Sequence, residues 1–330
     1  MDAAAPSAPA PLVGLEPPSG LQHRLVHGDQ EAVITEVGAT LRAYTVGGRP
    51  AILGFDVTEH APYARGQLLL PWPGRVGDGR YRWQGVDHQL PLDDEADLNN
   101  AIHGLTRWAN WTAEAPATDR VVMRHRLHSS PGYPFCLDLM VVFALDDRGL
   151  GVTLSGTNLS GVPAPFGAGA HPYLTLGSEL VDGWRLTLPA DTMLRTDSRL
   201  LPTGREPVSG TEFDFREPRV IGHTQLDNAF TGLARDPDGL ARVSLEAPDG
   251  RRLVIWTDRA YPWLVLFSGD QLSPGDRGDR LSPADRRRGL AVEPMTCPPN
   301  ALRSGVDLIA LQPGETATAC WGIDVTGFRG

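Results

Sequence analysis

Short segments of alternating or β-branched character, each stopped on both sides by Gly, Pro, Asp or Asn, run through nearly the whole chain. They include 33–37, 121–128, 137–145, 150–154, 184–188, 241–245, 253–256 and 264–267. Gly47-Gly48, Asp238-Gly239 and Asp249-Gly250 read as tight turns, because glycine accepts a positive φ. No segment keeps a 3.6-residue apolar stripe, and only Ser282-Pro283-Ala284-Asp285 could cap one turn of helix. Many strands without intervening helices predict an all-β chain, a large antiparallel β-sandwich. The Ala/Pro-rich residues 1–19 read as a disordered tail, residues 20–330 as a single domain, and the polar stretch 269–289 as a surface loop.

Composition narrows the chemistry. All 30 basic residues are arginine. Without lysine there is no Schiff base, no lysine-anchored pyridoxal phosphate and no phosphate loop ending in Lys. A formal charge of −10 disfavours nucleic acid and anionic membranes as partners. The cysteines, Cys136, Cys297 and Cys320, are odd in number and widely spaced, which argues against a disulfide framework or a zinc site. With no signal-peptide progression and no apolar run long enough to span a bilayer, the expectation is a soluble cytoplasmic protein.

Four clusters could carry chemistry. In Pro71-Trp72-Pro73-Gly74-Arg75, a Pro/Gly loop presents the planar donor fork of Arg75, without the glycine spacing of a dinucleotide site. In Asn100-Ala101-Ile102-His103-Gly104, glycine lets the backbone bend beside His103. In Gly167-Ala168-Gly169-Ala170-His171-Pro172-Tyr173, small residues lead into His171 and Pro172 blocks regular pairing after it. The fourth is Ala291-Val292-Glu293-Pro294-Met295-Thr296-Cys297-Pro298-Pro299-Asn300, which places Glu293 at the end of an expected strand, held by a proline-stiffened turn. Asp227, after Leu226, adds an acceptor for ligand hydroxyls. Taken singly, a surface arginine and satisfied structural histidines explain the first three as well. The histidines lack metal-ligand spacing, and no Gly-x-Ser-x-Gly elbow is present.

In this order and spacing the clusters resemble the aldose 1-epimerase (galactose mutarotase) family. Gly74-Arg75 is similar to its arginine loop, Asn100-x-x-His103-Gly104 to its Asn-x-x-His-Gly motif and His171-x-Tyr173 to its second histidine motif. Leu226-Asp227 is similar to its substrate-binding aspartate, and Glu293-Pro294 with Pro299-Asn300 to its catalytic glutamate segment. The chain departs where better-known members carry Asn-Arg, here Asp78-Gly79, and where they place Asn before the second histidine, here Ala170. The wording is nearest a bacterial branch that includes proposed sulfoquinovose mutarotases.

The resemblance implies a galactose mutarotase-like β-sandwich with a sugar cleft across one sheet. It implies Glu293 as general base and His171 as general acid, with Arg75, His103, Asp227, Tyr173 and Asn100 binding substrate. It requires no cofactor and no metal, and implies a monomer or homodimer acting on a free hexose. On ordinary pKa values Glu293 is expected ionised, with nearby carboxylates favouring protonated His171. Tyr173 is a candidate to stack on the sugar. The alternatives are an epimerase for an anionic sugar (sulfoquinovose or a hexose phosphate), a non-catalytic carbohydrate-binding protein, and a glycoside hydrolase pairing Asp227 with Glu293, which leaves His171 unexplained.

Overall fold

In the computed structural model, which describes residues 16–94, 97–114, 116–177, 179–270 and 286–329, the chain is almost entirely β. A nine-stranded sheet runs in the order Thr112–Glu114, Arg120–Leu127, Leu137–Leu145, Gly149–Asn158, Thr316–Asp324, Arg252–Thr257, Ala241–Glu246, Arg185–Thr187, Arg219–Val220. An eight-stranded sheet runs Pro202–Pro207, Ala190–Thr196, Asp227–Leu233, Trp263–Phe267, Leu290–Met295, Gly169–Ala170, Leu68–Leu69, with Tyr173–Leu174 also pairing Leu290–Met295. A four-stranded sheet over Gln22–Pro50 and three two-stranded ribbons complete the described structure. The paired strands are antiparallel throughout both large sheets, the arrangement expected of a mutarotase-like sandwich.

Period-two patterning explains the packing. Along Leu137–Leu145 every odd residue is buried and every even one is partly exposed. Leu137, Leu139, Val141 and Phe143 from the large sheet meet Phe230, Leu264, Leu266 and Val292 from the eight-stranded sheet in one core. The opposite face of the eight-stranded sheet carries a second cluster of Leu69, Leu194, Ala229, Trp263 and Met295. One face therefore builds the core, and the other is left to form a site.

The long strands lie where the sequence pattern predicts them, with adjusted ends. The strand predicted at 33–37 forms at Gln30–Thr35, because the Val37 carbonyl leaves the ladder to accept the hydroxyls of Thr35 and Thr40. The helical turn suggested at 282–285 and most of the 269–289 loop lie outside the described residues, as does 1–15 of the expected tail. Residues 16–20 belong to the fold: Gly20 closes a turn on the Pro17 carbonyl at 2.8 Å, and Ser19 is buried. A four-residue helix at Ala301–Ser304 was not anticipated. No helix among the described residues is long and apolar enough to cross a membrane.

The face assignment can be checked with two adjacent residues. Leu266→Ala, on the core face, should lower stability by about 2–5 kcal/mol in urea unfolding at constant m. Val265→Ala, on the opposite face, should cost clearly less; equal losses would contradict the assignment.

Candidate active site

A cavity of about 300 Å³ lies on that second face. Its floor follows from strand register. Asp227 is opposite Phe267, Ala229 opposite Val265, and Val265 opposite Glu293. Because side chains alternate, Asp227 and Ala229, Val265 and Phe267, and Glu293 and Met295 all present themselves to the cavity, while Leu266 and Val292 enter the core. Glu293 sits inside the strand Leu290–Met295, not at its end as the sequence suggested. Trp263–Phe267 pairs it on one side, and Gly169–Ala170 and Tyr173–Leu174 on the other. The proline turn that follows is tied to neighbouring loops. Thr296 exchanges bonds with Ala168 at 2.8 and 2.9 Å, and Asn300 donates to the Arg75 carbonyl at 2.6 Å.

His171 stands beside Glu293, its Nε2 3.4 Å from Oε1. Its backbone is pinned at both ends: its N–H donates to Gln67 at 3.0 Å and its carbonyl accepts from Gly66 at 2.9 Å. The small residues before it serve close packing. A Cβ on Gly167 would lie 2.5 Å from Cys297 Sγ, and one on Gly169 2.9 Å from Pro73. Tyr173 stacks on His171 with ring centroids 5.0 Å apart and planes 10° apart, and its hydroxyl donates to the Tyr63 carbonyl. The Arg65 guanidinium lies over the same Tyr173 ring at 5.7 Å. Tyr173 thus lines the cavity, as expected of a substrate-facing residue, while its ring also stacks against His171.

The protonation expected from the sequence is also corrected. Glu293 and His171 are 3 % and 6 % exposed, so both charged forms lose their hydration. Burial pushes the Glu293 carboxyl well up, with the Asp227 charge adding to this and Arg75 opposing it. Burial pushes the His171 imidazole down, with Arg107 and Arg75 acting in the same direction. The pocket therefore favours a neutral pair, one proton on the carboxyl and one on the imidazole. Glu293 Oε2 and His171 Nδ1 are buried without a hydrogen-bond partner among the described residues.

The opposite wall comes from Arg75–Gly77 paired with Asn100–Ile102, which sets Arg75 against Ile102. His103 follows in a left-handed conformation, φ 60°, and its ring meets His171 edge-on at 5.4 Å between centroids. Arg75 Nε donates to Asp94 Oδ2 at 2.9 Å, and Asn100 Nδ2 donates to the same oxygen at 2.9 Å. Asn100 is fully buried, accepts from Arg199 at 3.1 Å and does not line the cavity. It supports the Arg75–Asp94 pair from behind instead of meeting a ligand. Sequence reasoning missed Asp94, Arg107 and Tyr63, all of which line the cavity. Asp93 and Asp94 sat in an acidic run that reads as a solvated loop, and nothing local marks their arginine partners. Tyr63 and Ala64 both have positive φ, 50° and 57°, a strained pair of the kind that clusters at functional sites.

Comparison with known proteins identifies the family and agrees with the fold. The sequence profile of the aldose 1-epimerase family matches residues 22–321. An Escherichia coli K12 protein known as uncharacterized protein YihR is 34% identical over 299 residues, 90% of this chain and 91% of that one. Human galactose mutarotase is 26% identical over 302 residues, 84% of this chain and 86% of the human one. Among solved structures, the Caenorhabditis elegans GalM/aldose epimerase homologue superposes with a TM-score of 0.79 at 19% identity, covering 92% of this chain and 98% of that one. Galactose 1-epimerase from Lactobacillus acidophilus superposes with a TM-score of 0.76 at 23% identity, covering 91% and 92%. This chain is a member of the aldose 1-epimerase family of isomerases.

Proposed function

We propose that the protein interconverts the α and β anomers of a free hexose in the cytoplasm, with Glu293 and His171 moving the protons. The observation that carries this reading is the buried pair itself, 3.4 Å apart, with Glu293 Oε2 unpartnered among the described residues and both side chains lining a cavity sized for one pyranose. Arg75 and Arg107 each pair with an aspartate, Asp94 at 2.9 Å and Asp93 at 3.1 Å. That balance suits a neutral polyol better than an anion. Arg75, His103 and Asp227 hold hydroxyls, Asn100 braces Arg75 through Asp94, and Tyr173 supports His171 at the cavity wall.

The proton count follows from the pair. Sugar hydroxyls replace lost hydration at Glu293, so its proton can pass to His171 and leave a carboxylate beside an imidazolium. Glu293 then takes the proton of the C1 hydroxyl. The C1–ring oxygen bond breaks, C1 becomes a carbonyl carbon, and His171 gives its proton to the departing ring oxygen. The pair returns to the neutral form that the dry pocket favours while the aldehyde is open. Rotation about C1–C2 and the reverse transfers close the other anomer. The total number of protons on the pair never changes.

Anomer exchange of freshly dissolved α-glucose, α-galactose and sulfoquinovose, followed by polarimetry or NMR, tests the reaction. Exchange of the neutral hexoses faster than buffer is expected. Exchange of sulfoquinovose alone would move the assignment to an anionic sugar, and binding without exchange would make the protein a carbohydrate-binding module. Glu293→Gln and His171→Asn should each lower kcat/KM by about 10²–10⁴-fold; full activity in both would remove their roles.

The pH profile should be broad. Glu293 is shifted upward, so it releases its proton well above the ordinary carboxyl range near about 4.3. His171 is shifted downward, so it gains a second proton well below the ordinary imidazole value near about 6.5. Between those limits the carboxyl and the imidazole keep one proton each, and kcat/KM should show no limb at either ordinary value. An acid limb centred at the ordinary imidazole value would show that burial does not govern His171.

A further inference from the structure

We infer that His103 is held as one neutral tautomer, Nδ1 bare and Nε2 protonated, by the backbone amide of Gly74, and that it serves the sugar as a fixed hydrogen-bond donor, neither proton carrier nor metal ligand. The role toward sugar rests on the proposed epimerase reaction; the tautomer does not.

Two bonds join the same two residues. The His103 N–H donates to the Gly74 carbonyl at 3.0 Å, and the Gly74 N–H donates to His103 Nδ1 at 3.2 Å. An amide N–H can only donate, so the nitrogen that receives it must carry a lone pair. In a neutral imidazole the proton then sits on Nε2, the ring nitrogen that Gly74 does not engage, on a residue that lines the cavity. The backbone is built to hold this orientation. His103 has φ 60°, which a non-glycine residue adopts only where its surroundings insist. Gly104 has φ 77°, and a Cβ there would lie 1.9 Å from the Leu70 carbonyl oxygen. On the other side, a Cβ on Gly74 would lie 3.0 Å from Pro299. Both partners of the double bond are thus fixed where glycine alone permits the approach.

The second proton that would make His103 a cation is opposed from each side. Burial lowers its affinity for that proton, and the neighbouring His171, Arg107 and Arg75 act in the same direction. A doubly protonated ring would also face the Gly74 N–H with an N–H of its own. Glu293 also lies close by: a ring nitrogen of His103, one of His171 and a Glu293 oxygen all lie within 4.8 Å of one another. That spacing has the look of a two-histidine, one-carboxylate metal site. A metal, however, needs the bare nitrogen of each imidazole, and the bare nitrogen of His103 is turned toward Gly74. Moving the proton to Nδ1 would set two donors against each other. The cluster is therefore a donor beside a proton-transfer pair. Whatever atom of the sugar meets His103 must accept a hydrogen bond, as a hydroxyl or ring oxygen does and an ammonium group does not.

Long-range ¹H–¹⁵N NMR of the full-length, sugar-free protein, labelled at histidine, reads the tautomer directly. The expected spectrum has His103 with a pyridine-like Nδ1 and a pyrrole-like Nε2 that do not titrate in the ordinary imidazole range near about 6.5. A protonated Nδ1, or titration in that range, overturns the inference. Calorimetry with zinc chloride alone should show no one-to-one site that His103→Ala abolishes; such a site would overturn it equally. His103→Gln should lower kcat/KM roughly tenfold, the scale of one lost hydrogen bond, with the limbs of the pH profile unmoved. A shifted or missing limb would make His103 a proton carrier. Because the NMR and zinc measurements need no sugar, failure of every sugar to exchange would remove the proposed reaction and leave the tautomer standing.

Discussion

Everything at this site depends on taking one carboxyl and one imidazole out of water together. Each ion alone would lose several kcal/mol of hydration in such a place. At 3.4 Å they can share a single proton, and the low-dielectric pocket then chooses the uncharged distribution. That choice requires both groups to be held closely, because a small retreat of either would let water in and restore ordinary ionisation. The backbone of His171 is accordingly bonded on both sides, and Glu293 lies inside a strand paired along both edges.

The proline turn after Glu293 acquires a different purpose from the one its composition suggests. The strand already fixes the glutamate. The turn instead ties two other segments together, the histidine loop and the strand that carries Arg75. Thr296 bonds Ala168 in the histidine loop, the Asn300 amide bonds the Arg75 carbonyl, and Asn300 Oδ1 accepts from Gly77 at 3.1 Å. Pro299 also packs where Gly74 has no side chain. Stiffness there keeps the arginine and His103 wall in register with the floor that carries the pair.

What the sequence made legible were features with a local signature. Long strands such as Leu137–Leu145 announce themselves by alternation, and Arg75, His103, His171, Asp227 and Glu293, each read from its own cluster, converge on one cavity. Two-residue strands such as Leu68–Leu69 and Gly169–Ala170 are too short to show a period, and the helix Ala301–Ser304 is a single turn after a left-handed Asn300. The pairing of Arg75 with Asp94 leaves no trace in spacing, so Asn100 read as a ligand residue when it is the brace behind that pair. Protonation was misread for a related reason. Ordinary pKa values describe hydrated side chains, and burial is a property of the assembled sheets that no short motif records.

A reaction that exchanges anomers imposes a symmetry on its machinery, and the two histidines divide the work it creates. The anomeric oxygen leaves from one face and returns to the other, while the ring oxygen must be found by the same acid each time. A group whose protonation varied with its neighbours would blur which of the three nearby residues carries the mobile proton. Fixing His103 as a donor removes that ambiguity and leaves Glu293 and His171 to share one proton between two defined states. In the proposed reaction the charged pair stands between two neutral states, one beside the closed ring and one beside the open aldehyde, and the hydroxyls of the bound sugar offset what burial costs it.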